Sequence, residues 1–232
     1  MTEFGRPHRH LRLTRSTNDV ARALAEAGAP SGTVVTASAQ SAGRGRHGRV
    51  WSAPPGKALL FSAILAPLEA DHALLPIAVP VAVCEAIESV ADVRCAIKWP
   101  NDVWIDRRKV SGILIEARFP RWAVIGIGVN VAIEPDEFPD DLRWPATSVG
   151  GGADVAQVRD ALCERLAAWT AATPAEAVDA FRSRDALAGR DVEWDGGSGR
   201  AQGVADDGNL LVATEGGETV SLGSGEVSLR IR

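Results

Sequence analysis

The chain has 232 residues, a mean hydropathy of −0.01 and a formal net charge of −5 at pH 7. This length can bury a full core, either in one large domain or in one large and one small domain. The mildly negative charge gives no indication of nucleic-acid or membrane-surface binding, and we expect neither a signal peptide nor a segment of the apolar length that spans a bilayer. Three widely spaced cysteines without a Cys-x-x-Cys pair indicate reduced thiols in a cytoplasmic protein rather than a zinc site.

Apolar and turn residues alternate through the first 184 residues in a way that predicts both strands and helices. Strands are predicted at 11–13, 33–39, 58–65, 95–99, 103–105, 109–118 and 122–131, and helices at 20–27, 72–91, 155–170 and 174–184. The polar run STND at 16–19 offers N-cap side chains for the first helix, and Pro100 ends the strand that precedes it. The short basic stretch at 8–12 is expected to be a solvated arm.

The composition changes near residue 185. Beyond this point short apolar stretches alternate with glycine turns, and no helical pattern is found, which is typical of a small barrel of short strands. We therefore place a domain boundary here and predict two domains, residues 1–184 and 185–232.

The segment GRGRHGRVW at 43–51 contains three glycines and three arginines within nine residues. Such a glycine density predicts a loop whose backbone comes close to a ligand, and the arginines indicate that the ligand carries phosphate or carboxylate. The glycine spacing also matches the dinucleotide-binding fingerprint. That fingerprint must open a helix, however, and WSAPP at 51–55 cannot propagate one.

The loop resembles the GRGRRGRxW segment of biotin–protein ligases, with His47 in place of one arginine. Further motifs of that family match in the same order: STN at 16–18, Gln40, KWPND at 98–102, KVSGILIE at 109–116, GIGVNV at 126–131 and GEVSLR at 225–230. The resemblance covers nearly the whole chain. It implies an α+β fold, in which a mixed β-sheet with packed helices precedes a small C-terminal SH3-like β-barrel.

The resemblance also implies an ATP-dependent reaction in two steps. Biotin is activated to biotinyl-5′-AMP with release of pyrophosphate, and a lysine of a biotin carboxyl carrier domain then attacks the mixed anhydride. ATP and biotin would be substrates, and Mg²⁺ would accompany the phosphates. Whether the enzyme is a monomer or a homodimer is left open by the sequence.

Two other functions are kept as alternatives. Lipoate–protein ligases share the expected fold, but the arginine-glycine loop and the KWPND motif favour biotin. A biotin-sensing regulator of transcription would need a helix-turn-helix domain, and only about ten residues precede the first predicted strand. We therefore expect the monofunctional type, without an N-terminal DNA-binding domain and without a nucleic-acid partner.

The motifs assign candidate residues to the parts of this reaction. The candidate catalytic residues are Lys98, Arg44 and Arg46. Biotin binding is expected at Ser16, Thr17, Asn18, Gln40, Arg44, Gly45, Arg46, Lys98 and Gly112. Nucleotide binding is expected at Trp51, Asn101, Lys109, Asn130 and Arg230, and no metal ligand is assigned. A compact ammonium suits the point where carboxylate meets α-phosphate better than the wide fork of arginine does, which favours Lys98 there.

Several of these residues have an ordinary structural interpretation that stays open. Trp51 would either cover adenine or the biotin tail or simply anchor the loop, and Arg230 is as readily a terminal charge as a nucleotide contact. Asp102 would either help to hold magnesium or make its turn, and Glu116 is expected to be structural. Glycines 112, 126 and 128 are expected to let a ligand approach the sheet.

Overall fold

Two sheets organise the computed structural model, which describes residues 2–142, residues 144–224 and the backbone of residues 230–231. The strands of the larger sheet are β1 His8–Leu11, β2 Val34–Ala37, β3 Ala58–Leu65, β4 Cys95–Lys98, β5 Asp102–Ile105, β6 Arg108–Arg118 and β7 Trp122–Asn130. They lie in the order β1-β2-β3-β7-β6-β5-β4. The pairing of β1 with β2 is parallel and the other pairs are antiparallel, so the sheet is mixed, as predicted.

The predicted strands are found, with shifted ends at several of them. The exception is the first one: the basic stretch at 8–12, expected to be a solvated arm, supplies β1, and Leu13 is 64% exposed. Here the backbone decides, because β1 pairs in register with β2 from His8 opposite Val34 onward. Exposed side chains at an edge strand hide this pairing from any reading of apolar pattern.

The chain has four described α-helices: α1 Thr17–Glu26, α2 Leu75–Val90, α3 Val155–Trp169 and α4 Pro174–Arg182. The first three pack against the larger sheet, and α4 packs on α2 and on the smaller sheet. The helix α3 begins at a capping box formed by Asp154 and Gln157, and α4 begins at one formed by Thr173 and Glu176. The side chains of α2 are buried around most of its circumference, as is typical of a core helix.

The segment Ala70–Val90, which joins a 3₁₀ turn to α2, is long and apolar enough to cross a membrane by length and composition alone. The expectation that no segment reaches this length is therefore wrong. In the fold, 61% of the apolar window of this segment is buried inside the protein, where it forms the centre of the core.

The two faces of the larger sheet carry different layers. One face packs against α2 and α3, and with α4, which lies on α2, it forms the main core. On the other face, α1 covers a smaller apolar cluster that includes Val35, Ile64 and Val124. Farther along this second face the paired strands present glycine: Gly112 lies opposite Gly128, and Leu114 lies opposite Gly126. Because these positions have no Cβ, the face is hollow beside α1.

The smaller sheet contains β8 Asp191–Trp194, β9 Gly197–Val204, β10 Leu210–Thr214, β11 Thr219–Leu222 and β12 Arg230–Ile231. Its order is β11-β10-β9-β8-β12, and all of its pairs are antiparallel. This arrangement is consistent with the predicted SH3-like domain. The connecting chain first bonds to the edge of the larger sheet, where Ile97 receives hydrogen bonds from Ala186 and donates one to Arg184. The domain boundary at 184/185 stays a prediction.

Candidate active site

A cavity of about 580 Å³ occupies the hollow face of the larger sheet beside α1. Most of the residues predicted to bind substrate line it: Ser16, Thr17, Asn18, Gln40, Arg44, Gly45, Arg46, Trp51, Asn101, Lys109, Gly112 and Asn130. They come from segments far apart in the chain, and the sheet brings them to one place. Lys98 does not line the cavity, and the side chain of Arg230 lies outside the described residues, as does the 225–229 part of the C-terminal motif.

The polar end of the cavity is built at the start of α1. Ser16 occupies the N-cap position without a side-chain capping bond. Instead, Gln40 accepts hydrogen bonds at Oε1 from the backbone N–H of Thr17 (2.7 Å) and from its hydroxyl (3.1 Å). Gln40 therefore satisfies an N–H group that the first turn of a helix leaves unpaired. The motif at 16–18 and Gln40 form one unit.

A buried serine, absent from the predicted site, joins this unit to the sheet. Ser62 is fully buried on β3, and its Oγ lies 2.8 Å from the hydroxyl of Thr17 and 2.6 Å from Oδ1 of Asn18. The amide of Asn18 donates to Glu116 Oε2 at 2.9 Å. A Cβ added at Gly126 would lie 2.1 Å from Asn18 Oδ1, so the glycine makes room for this side chain.

The loop at 43–51 folds as a small hairpin over the cavity. Gly45 donates from its backbone to Arg49 (2.7 Å), Trp51 donates to Gly43 (3.0 Å), and His47 lies in the left-handed region with φ 53°. The loop backbone leaves no room for a side chain at Gly43, where a Cβ would lie 2.2 Å from the carbonyl oxygen of Trp51. The glycines of the loop thus serve its own hairpin.

The indole of Trp51 rests on the glycines of the sheet. A Cβ added at Gly128 would lie 2.4 Å from the indole, and one at Gly112 would lie 3.0 Å from it. The strand glycines were expected to admit a ligand; in this structure Gly112 and Gly128 admit Trp51, and Gly126 admits Asn18. Its buried Nε1 has no hydrogen-bond partner among the described atoms, and the ammonium of Lys109 lies 5.6 Å from its ring centroid.

The two arginines predicted to be catalytic point to different partners. Arg44 bonds to two carboxylates, those of Asp19 and Glu116. Burial lowers the pKa of the Arg44 guanidinium, but the hydrogen bond and charge of Glu116 outweigh burial, and the pKa is raised. Arg46 donates to Asn101 Oδ1 (3.3 Å) and to the carbonyl oxygen of Ser224. Burial, and then the charge of Arg49, lower the pKa of Arg46.

Lys98 lies behind the cavity wall, with the residue 4% exposed. Its ammonium is 5.1 Å from the ring of Trp144 and 6.0 Å from the ring of Trp104, within the range of cation–π attraction. Trp144 itself lines the cavity. The predicted catalytic ammonium therefore lies near the lining of the cavity without being part of it.

The remaining polar residues of the site lie on β5, β6 and β7 or next to them. The carboxylate of Asp102 is 2.6 Å from the ammonium of Lys109, and Asn101 bonds through its amide to the carbonyl oxygen of Ile113 (3.2 Å). The amide of Asn130 donates to the carbonyl oxygen of Thr147 at 3.0 Å, which ties β7 to the following segment. Among the described residues no group of three or more His, Cys, Asp or Glu side chains comes together as a metal site.

Several side chains of the site were not predicted from the sequence. Ser62 and Glu116, which bond to the cavity residue Asn18, are polar residues within apolar strand patterns, and such a pattern is a signal of a polar network. Phe138, Leu142 and Trp144 belong to the segment after β7, for which no element was predicted. Aromatic residues in a loop of this length are a recognisable sign of a binding wall.

Comparisons with known proteins agree with this geometry. Residues 10–130 match the biotin/lipoate A/B protein ligase family, and residues 197–230 match the biotin protein ligase C-terminal domain. A biotin--[acetyl-CoA-carboxylase] ligase of Mycobacterium tuberculosis is 34% identical over 92% of this chain and 85% of its own length. The biotin protein ligase of Aquifex aeolicus in complex with biotin and ATP superimposes with a TM-score of 0.84 at 30% identity, over 98% of this chain and all of that one.

The bifunctional ligase/repressor BirA of Bacillus subtilis is 43% identical over 60% of this chain, but the match spans only 44% of that relative's length. The chain belongs to the biotin/lipoate A/B protein ligase family. Within it, the likeness that extends over nearly the full chain is to biotin ligases, which confirms the family predicted from the motifs. The comparisons favour biotin ligation over lipoate ligation and over transcriptional regulation.

Proposed function

We propose that the chain is an ATP-dependent biotin–protein ligase that forms biotinyl-5′-AMP and transfers biotin to a lysine of a biotin carboxyl carrier domain. The observation that carries this proposal is the cavity: it is lined both by the polar network at the start of α1 and by the cationic residues Arg46, Arg49 and Lys109. A cavity of this size and polarity suits a small polar ring joined to a phosphorylated group.

The chemistry needs two anions to meet. The carboxylate of biotin attacks the α-phosphorus of ATP, a carboxylate-oxygen-to-phosphorus bond forms, and the bond from that phosphorus to the pyrophosphate oxygen breaks. Positioning and fixed positive charge are the main contributions that a protein makes to such a step.

The residues divide between the two substrates. Ser16, Thr17, Asn18 and Gln40 offer donors and acceptors for the biotin ring, and Gly112 lies in the same cavity. Arg46 and Lys98 supply charge for the carboxylate and the α-phosphate, and Gly45 lets the loop backbone approach them. Asn101, Lys109 and Asn130 would contact the nucleotide, with Trp51 as an apolar cover, and Arg230 is assigned to the nucleotide from the sequence motif alone. In the second step, the carrier lysine attacks the anhydride carbonyl and AMP leaves.

Magnesium would enter with the nucleotide. Because the described acids do not gather into a cage, and because Asp102 is already paired with Lys109, the phosphates of ATP would be its main ligands. No step of the mechanism is assigned to the metal.

The carrier and the compartment are parts of the same proposal. The relatives that share most of this chain's length are named as ligases of acetyl-CoA carboxylase, so the partner would be the carrier domain of a biotin-dependent carboxylase. Cys84, Cys95 and Cys163 are free thiols, as expected of a cytoplasmic protein.

The test is pyrophosphate release from ATP in the presence of biotin or of lipoate, followed by transfer to a carrier domain. We expect ATP to release pyrophosphate when biotin is present and the carrier is not. After the carrier is added, we expect biotin to be attached to the carrier lysine. Release that depends on lipoate, or biotin binding without any turnover of ATP, would contradict the proposal.

A further inference from the structure

The guanidinium of Arg44, which lines the cavity, is bound by the carboxylates of Asp19 and Glu116. Its Nη2 lies 2.9 Å from Glu116 Oε1, and its Nη1 lies 3.1 Å from Glu116 Oε2 and 3.0 Å from Asp19 Oδ1. The pair with Glu116 is therefore bidentate, which is the geometry in which arginine binds carboxylate most specifically. Glu116 is on β6 and Asp19 is on the first turn of α1, so Arg44 is bound to two different secondary-structure elements.

The positive and negative charges around Arg44 are equal in number. Arg22 adds a second guanidinium, 3.2 Å from Asp19 Oδ1 and 3.8 Å from Glu116 Oε1, so two cations face two anions. An anionic substrate that took Arg44 as its partner would leave both carboxylates facing Arg22 alone. A contact between Arg44 and the substrate anion would break the bidentate ion pair of Arg44 with Glu116. Arg46 can bind the anion without such a loss.

The same carboxylate reaches the floor of the cavity. Glu116 Oε2 accepts from the amide of Asn18 at 2.9 Å, and Oδ1 of Asn18 accepts from Ser62 at 2.6 Å. Asn18 and Ser62 are both buried. A hydrogen-bond network of this kind, in which the buried polar groups have partners, has a single favoured arrangement. Glu116 therefore fixes the position of the loop relative to the sheet.

From this geometry we infer that Glu116, assisted by Asp19, is a positioning residue that holds the 43–51 loop over the cavity through Arg44. Arg44 is then a strut of the loop, and Arg46 is the loop arginine that meets the substrate anions. This assignment divides the two arginines that the sequence treats alike. It rests on the proposed function for its kinetic consequence, but not for its structural one.

The structural consequence is tested by hydrogen exchange in the protein without substrates. The amides of Gly45 and Trp51 report on the loop, because both are hydrogen-bonded within its hairpin. We expect Glu116→Gln to speed their exchange about tenfold and Asp19→Asn about twofold, since a charged bidentate pair contributes more than a single contact. The matched control is Asp206→Asn, which removes a carboxylate of the smaller sheet's β9–β10 turn from its ion pair with Arg182 of α4, and it should leave both amides unchanged.

The kinetic consequence is tested by a double-mutant cycle on pyrophosphate release. Glu116→Gln and Arg44→Gln should each raise the KM for biotin about fivefold with little change in kcat, and the double variant should be no worse than either one. If Arg44 binds the substrate anions instead, Arg44→Gln alone would lower kcat/KM by orders of magnitude, and the two effects would multiply. That outcome, or unchanged exchange at Gly45 and Trp51 in Glu116→Gln, overturns the inference.

Failure of the proposed function would look different. A wild-type protein that releases no pyrophosphate with biotin and ATP contradicts the ligase activity. The exchange measurement on the free protein still decides whether Glu116 holds the loop.

Discussion

The indole Nε1 of Trp99 donates a 3.1 Å hydrogen bond to the carbonyl oxygen of Gly208, 109 residues farther along the chain. Trp99 belongs to the KWPND turn that follows Lys98, and Gly208 is in the turn between β9 and β10 of the smaller sheet. A Cβ at Gly208 would lie 2.9 Å from Ile77, so this turn also packs closely on α2. The smaller domain thus braces the turn that carries the predicted catalytic lysine.

Replacement of Trp99 by phenylalanine tests this brace. The variant loses the donor and leaves the carbonyl of Gly208 without its partner in a buried place. We expect the free energy of unfolding to fall by about 2–3 kcal/mol, from the lost hydrogen bond and the smaller ring together. Adenylation should slow as well, because Lys98 adjoins the turn. Chemical denaturation and pyrophosphate release measure the two effects.

Trp122→Phe is the matched control. Trp122 is also buried, but its Nε1 has no hydrogen-bond partner among the described atoms. The variant loses ring volume without losing such a bond, so we expect it to be less destabilised than Trp99→Phe by about 1 kcal/mol. Equal destabilisation of the two variants would show that the bond to Gly208 contributes nothing measurable.

Gly128→Ala should displace Trp51 from the sheet. The new Cβ would lie 2.4 Å from the indole, closer than real Cβ contacts, and the backbone of a central strand cannot move away. We expect the loop at 43–51 to open and biotin binding to weaken by at least tenfold, measured by titration calorimetry and by the change in tryptophan emission. In Gly216→Ala the nearest atom is 3.8 Å from the new Cβ, so binding should not change. Unaltered emission and affinity in Gly128→Ala would contradict the packing of Trp51 against Gly128.

Lys98→Met keeps the length and apolar body of the side chain and removes its charge. We expect the fold to persist, since the stem can stay packed against Trp104 and Trp144. Pyrophosphate release should fall by at least a hundredfold if Lys98 supplies its charge to the reaction. Lys98→Arg should also be poor, because the wider fork does not fit a buried place shaped for a compact ammonium. Wild-type turnover in Lys98→Met would remove the residue from the mechanism.

Asp185 should make the stability depend on pH. It lies in the segment between α4 and β8, where Oδ1 accepts from Leu187 (2.8 Å) and the buried Oδ2 has no partner among the described atoms. Burial raises the pKa of Asp185 above its usual 3.8, although backbone hydrogen bonds oppose the shift. A raised pKa means that the folded state binds the proton more tightly. The contribution of Asp185 to stability is therefore complete below the usual pKa and is lost as the pH rises through the raised one.

Asp185→Asn, which is neutral at every pH, should accordingly unfold at a higher temperature than wild type at pH 7. The difference should shrink toward pH 4. The exposed Asp195→Asn serves as the control and should show no such trend. A difference between Asp185→Asn and wild type that does not vary with pH would contradict the burial of charge at this position.

Much of the fold could be predicted from local pattern. Residues 58–65 are apolar except for Ser62, and they form β3 with the predicted ends because the strand is buried on both faces. The edge strand β1 could not be predicted in the same way, since its side chains are exposed and its place depends on pairing with β2. Its register is a property of two segments, and no pattern within one of them reports it.

The sequence by itself determined the family, most of the elements and which motifs would meet, because each motif contains the residue types that its chemistry needs. Only the tertiary structure decided what the individual side chains do. Glu116, expected to be structural, meets Arg44 across 72 residues; the buried Lys98 lies 5.1 Å from the ring of Trp144; and Gly112 and Gly128 admit Trp51. The physical reason is that such contacts depend on register, on the face of the sheet and on the direction of each side chain, and these are settled only when the strands pack together.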